Sequence, residues 1–135
     1  METVYALRND PEGISQMQRG SSSSGPIGLL ITHGLIGSQE WWTHIESGVL
    51  PLRFSEGVVS GFWPGQYGDG PAEFEVRQPD GQTTHWLCQV DPKLARTVFI
   101  IGRAVIVQYV GQQLKPRLGE STDTKVTISI SLGEA

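Results

Sequence analysis

Three histidines, His33, His44 and His85, each directly follow a threonine. Imidazole is the side chain best suited to hold a catalytic zinc or to move a proton near neutral pH. On a curled sheet the three could converge on one metal ion, with Glu46, two places after His44, as a carboxylate on the same strand face, and with Asp69 as a second acid. Nothing in their separations of 11 and 41 residues requires this. The His44-Ile45-Glu46 triplet lacks the Pro-Cys-x-x-Cys partner of a zinc deaminase. Cys88, the single cysteine, rules out an internal disulfide and any multi-cysteine metal site. It stands three residues after His85, so on a strand the two side chains face opposite ways and the thiol reads as a small buried hydrophobe. The glycines of Gly65-Gln66-Tyr67-Gly68-Asp69-Gly70 come without the lysine of a phosphate-cradling loop, and in Gly57-Val58-Val59-Ser60-Gly61 the serine is one place late for a hydrolase elbow. A metal- or acid/base-dependent enzyme built on His33, His44, His85 and Glu46 is therefore the second reading. The plainer one makes the histidines surface or hydrogen-bonded structural groups, with no cofactor.

The aromatics carry the first reading. Trp41, Trp42, Phe62, Trp63, Tyr67 and Trp86 fall within 46 residues, and tryptophan is a leading residue at binding hot spots. Phe62 and Trp63 point to opposite faces of one strand, so one belongs to the core and the other is exposed or covered by the following loop. A non-catalytic binding or assembly module would then use Trp63, Tyr67 and Asp69 of that loop, with Lys115 and Arg117 nearby. Its partner is a protein or a second copy of the chain. Stacking aromatics beside cations also suit single-stranded nucleic acid, but the net charge of −4 disfavours it. The charge is uneven: residues 1–91 hold 11 acids against four arginines, and Pro92–Gly119 holds five cations and no acid. The simplest account is that the two halves neutralise each other in the fold.

The elements that must position these residues centre on Glu73–Val110. Glu73-Phe74-Glu75-Val76-Arg77 alternates with the period of a half-buried strand, Gln78-Pro79-Asp80-Gly81-Gln82 reverses the chain, and Thr83–Val90 returns with Thr84, Trp86, Cys88 and Val90 facing the core. Asp91-Pro92 ends that strand and suits a helical turn over Lys93–Arg96. Val98–Val110 is apolar at both parities, which predicts one long covered strand, bent at Gly102 so that the sheet closes. Val126–Leu132 alternates strictly and closes the chain as a further core strand. Ile27–Ile36 reads as the first core strand, Ser38–Gly48 leans to strand over helix on its aromatic and β-branched content, and Val49–Phe54 reads as an edge strand because of Pro51. Residues 1–26, with the Arg19–Pro26 Ser/Gly stretch, read as a flexible N-terminal segment, and residues 27–135 as a single β-rich domain.

Seven or eight short strands with at most one or two short helical turns make an all-β chain, a small β-barrel or alternatively a β-sandwich. The order over Gly57–Leu118, with a strand, a long loop, the hairpin around Asp80-Gly81, a short turn and the Gly-x-x-Val-x-Val strand at Gly102–Val107, resembles SH3-like small barrels. The resemblance carries no functional residues over. No apolar run approaches 18 residues and Met1–Ala6 has neither the basic start nor the apolar centre of a signal peptide, so the expected location is cytoplasmic, with no membrane partner.

Overall fold

The computed structural model describes residues 1–22, 28–64, 71–91, 93–113 and 123–134. The protein is dominated by a six-stranded sheet: β1 (Glu2–Ala6), β2 (Arg53–Pro64), β3 (Pro71–Arg77), β4 (Thr83–Leu87), β5 (Ala104–Gln113) and β6 (Asp123–Leu132), in the order β1-β6-β5-β2-β3-β4. The all-β expectation holds. Among the described residues the sheet does not close into a barrel, so the closure expected from the sequence is not seen there. Among the described residues there are six strands, against the seven or eight expected, and the helices α1 (Pro11–Ser22), α2 (Gln39–Glu46) and α3 (Ala95–Val98) together exceed one or two turns.

By compactness the chain divides into one unit of Met1–Tyr5, Phe54–Gln108 and Ser129–Ala135, and a second of Ala6–Arg53 and Tyr109–Ile128. In the first unit the hairpin forms as its turn chemistry requires. Gln78 N–H donates to Gln82 O at 2.8 Å, Asp80 Oδ1 accepts from Gln82 N–H at 2.9 Å, and Gly81 takes φ +87°, a value that side chains resist. Phe74 pairs with Trp86 and Val76 with Thr84. Phe74, Val76, Trp86 and Cys88 are buried on the inner face together with Val59, Phe99, Val105, Val107, Ile130 and Leu132. Phe74 and Phe99 stack with ring centroids 4.3 Å apart. The predicted continuous strand from Val98 is instead cut in two. Val98 ends α3, Phe99 drops into the core, and Gly102 at φ +91° forms a turn that hands over to β5. A packed phenylalanine and a left-handed glycine outweighed the β-branched content on either side. At Gly57 a side chain would run into the carbonyl of Arg77, so only glycine lets β2 approach β3 this closely.

In the second unit, Ile27–Ile36 is not a strand. Leu29 makes a single bridge and Leu30 N–H donates to Gln113 O at 2.8 Å before the chain bends away. Within Ser38–Gly48 the chain is helix over Gln39–Glu46, not strand, and Ser38 Oγ caps it by accepting from Trp41 N–H at 3.2 Å. Val49–Phe54 is no edge strand either, since β2 begins at Arg53 and runs between β5 and β3. The expectation of a flexible segment over residues 1–26 meets β1 and α1. Asp10 Oδ1 accepts from Gly13 N–H at 3.0 Å and Pro11 takes the first helical position. Residues 23–27 lie outside the described residues.

Cys88 is 2% exposed, and burial, then the negative charge of Glu73, pushes its thiol up from 9.0 to about 11. A raised thiol value stabilises the fold fully below pH 9.0, and that contribution is lost as pH rises towards about 11. Labelling of Cys88 by a disulfide reagent near pH 8 should be about 100-fold slower in the native chain than in denaturant, from the thiolate fraction alone. Equal rates would show an open thiol.

Candidate functional site

The outer face of β2, β3 and β4, opposite the Phe74–Phe99 core, gathers the chemistry of the first unit. Across the three strands the register sets Val58, Arg77 and Thr83 in one row, Gly61, Glu75 and His85 in the next, and Trp63, Glu73 and Leu87 in the third. Val58, Trp63 and Leu87 are 39%, 48% and 56% exposed, a large apolar surface left to solvent on one small patch.

A register shift at Ser60 creates this face. Val59 is buried and pairs with Val76, so an unbroken strand would turn Gly61 and Trp63 inward as well. One extra residue between Val59 and Gly61 inverts the parity, so Phe62 pairs with Phe74 and Trp63 turns out. Ser60, the extra residue, donates through Oγ to Glu75 Oε1 at 2.8 Å.

Trp63 is held in place by His85. Its Nε1–H donates to His85 Nε2 at 3.1 Å, and the two rings lie 4.9 Å apart at 39°. The same Nε2 is 3.1 Å from Glu75 Oε2, and Nδ1 is 3.9 Å from Glu73 Oε1. The Ser60 hydroxyl, and then the His85 ring, hold the Glu75 carboxyl below its usual range, with Arg77 adding a smaller attraction. A lowered carboxyl value stabilises the fold above the ordinary 4.5, and that contribution disappears as acid protonates the folded form.

The other two histidines belong to the second unit. The rings of His33 and His44 meet edge to face at 5.4 Å, Thr32 Oγ1 lies 2.8 Å from His33 Nδ1, and Glu40 stands 3.9 Å from His44 Nε2. Glu46 is taken up by Arg8 at 2.8 Å, whose guanidinium lies over the Trp42 ring. His33 also borders an open cavity of about 220 Å³ with Thr32, Arg53, Gly111, Gln112 and Gln113. Among the described residues no group of three or more His, Cys, Asp or Glu side chains could hold a metal ion. His33 and His44 thus come together, while His85 engages Trp63 and the two glutamates.

Of the residues singled out for ligand binding, Trp63 is placed at the surface; Tyr67, Asp69, Lys115 and Arg117 lie outside the described residues. Sequence reasoning missed Glu73, Glu75, Leu87 and Ser60 as members of the Trp63 face. The first two and His85 were within reach, because a hairpin centred on Asp80-Gly81 fixes Glu75 opposite His85 and Glu73 opposite Leu87. The Ser60 shift leaves no comparable mark in the sequence.

Among the described residues no helix is long and apolar enough to cross a membrane. No curated protein matches the chain. The family model of Immunity protein RhsI2 matches residues 1–132, all but the last three. That match spans the sheet, the helices and the Trp63 face alike, and the chain belongs to the Immunity protein RhsI2 family.

Proposed function

We propose that this chain is a non-catalytic binding module that neutralises a toxin protein by forming a complex with it, and that Trp63 anchors the contact. The family's name supports the immunity role. The observation that carries the choice of site is that Trp63 is 48% exposed yet hydrogen-bonded to His85, with the two rings in contact at a 39° tilt. A large aromatic already held in one rotamer forfeits little entropy on association, so more of its burial appears as affinity. Strand residues also hold their positions better than loop residues do, which suits an interface that must exclude a toxin from its target. Tyr67 and Asp69, six residues or fewer downstream, and Lys115 and Arg117 would extend this contact. The complex would form in the cytoplasm.

In cells producing the toxin, survival should depend on this chain, and Trp63→Ala should weaken toxin binding by about 2–4 kcal/mol while leaving the thermal midpoint nearly unchanged. A Trp63→Ala chain that binds and protects as well as its parent would remove Trp63 from the interface.

A further inference from the structure

On the reading that this chain binds a toxin protein through Trp63, we propose that the β2–β3–β4 face docks a basic segment of that toxin, seating an arginine or lysine between the Trp63 ring and the Glu73 and Glu75 carboxylates, and that His85 competes with it from within.

Charge and shape point to a cationic occupant. The face presents two carboxylates from β3 between the exposed Trp63 on β2 and the exposed Leu87 on β4, with Arg77 one row away as its cation. An aromatic face beside carboxylates suits a guanidinium or ammonium, which gains from the ring quadrupole and from the anions together. The same carboxylates repel phosphate, so a nucleic-acid strand is the disfavoured occupant, in keeping with the chain's net charge of −4. Val58 and Leu87 supply apolar surface on either side for the rest of a protein contact.

The regulation follows from a conflict at one atom. The indole N–H of Trp63 can only donate, so its bond to His85 Nε2 requires that nitrogen to carry a lone pair. Glu75 Oε2, also 3.1 Å from Nε2, can accept only if that nitrogen carries a proton. Both bonds cannot be made at once. Neutral His85 with its proton on Nδ1 clamps Trp63 and leaves Glu75 turned towards solvent and Ser60. Protonated His85 donates to Glu75, faces Glu73 through Nδ1, and releases the indole. It then fills the seat with a charge of its own. Among the described residues the titratable and charged groups facing the ring are Glu73 and Glu75, with Arg77 bearing on Glu75. A cationic partner therefore binds better when His85 is neutral.

The test uses the full-length ¹⁵N-labelled chain and a capped penta-arginine peptide, with capped pentaglutamate and oligothymidylate as acidic counterparts. Titrations at about pH 8 and about pH 5.5 bracket imidazole protonation. Penta-arginine should shift the Trp63 indole and His85 ring signals and bind about fivefold more tightly at the higher pH. Combined Glu73→Gln and Glu75→Gln should abolish those shifts. His85→Gln, which cannot take up a proton, should keep the binding and lose its pH dependence. Peptide shifts located elsewhere, a pH dependence surviving in His85→Gln, or oligothymidylate displacing the peptide from Trp63 would each overturn the proposal. The toxin assay separates the two readings. Loss of protection in Trp63→Ala but not in the double glutamine chain refutes the cation seat alone; correct peptide behaviour with full protection by Trp63→Ala refutes Trp63 as the toxin anchor, and with it the seat as a toxin site, while the toxin-binding role stands.

Discussion

A chain ending at Thr122 should show no cooperative unfolding transition and should expose its apolar surface to a hydrophobic dye. The deletion removes β6, which lies between β1 and β5 in the sheet order, so both neighbours lose a ladder at once. It also removes Val126 from the interior of one compact unit and Ile130 and Leu132 from that of the other, all three buried. At about 1.5–3 kcal/mol for each fully buried aliphatic side chain, that is about 4.5–9 kcal/mol before any hydrogen bond is counted. The whole net stability of a domain is about 5–15 kcal/mol. Loss on this scale leaves nothing to hold β1, and the carbonyl of Gly133 that accepts from Arg103 Nε goes with it. Circular dichroism with a denaturant titration checks the result, and a sharp transition at the parent's midpoint would contradict it.

β6 was legible for the same reason that it is essential. Its side chains alternate with period two, and a period of two needs no knowledge of partners. The β3–β4 hairpin was legible because its instructions are local, with Pro79, Asp80 and Gly81 reversing the chain within five residues. Where the expectations failed, a single capping or turn residue outweighed the average preference of its neighbours. Ser38 made α2 a helix despite Trp41, Trp42, Thr43 and Ile45, and Asp10-Pro11 started α1 in a stretch that reads as breakers. Closure of the sheet was not legible at all. It depends on whether two edges meet, and no residue pattern along one strand records which edge lies opposite.

The candidate site divides along the same line. Trp63 stands out by its type, and the Glu73-x-Glu75 alternation marks a wet face. What makes them one surface is the inserted residue at Ser60, which reverses the facing of everything after it on β2. Paired without the bulge, the same residues would carry Trp63 to the inner side, where Phe62 now meets Phe74. The binding face thus depends on a bulge that the sequence shows only as an ordinary serine between a valine and a glycine.

Trp41→Ala should be among the most destabilising single substitutions in the second unit. Trp41 is fully buried on α2, packs edge to face on Trp42 at 4.8 Å, and donates through Nε1 to Gln112 Oε1 at 3.4 Å. Gln112, itself 2% exposed on β5, passes the connection on: its Nε2 donates to Leu30 O at 2.7 Å and to Thr32 Oγ1 at 3.0 Å. Emptying the indole's space costs about 3–5 kcal/mol, and the Gln112 oxygen left without its donor adds about 1–3 kcal/mol. Trp41→Phe keeps a six-membered ring in the space and removes the N–H together with the rest of the indole. It should cost about 2–4 kcal/mol, the lost donor plus a partial cavity, short of the alanine value. Urea denaturation of the two variants beside the parent measures both. An alanine chain within about 1 kcal/mol of the parent would mean that Trp41 does not hold α2 against β5.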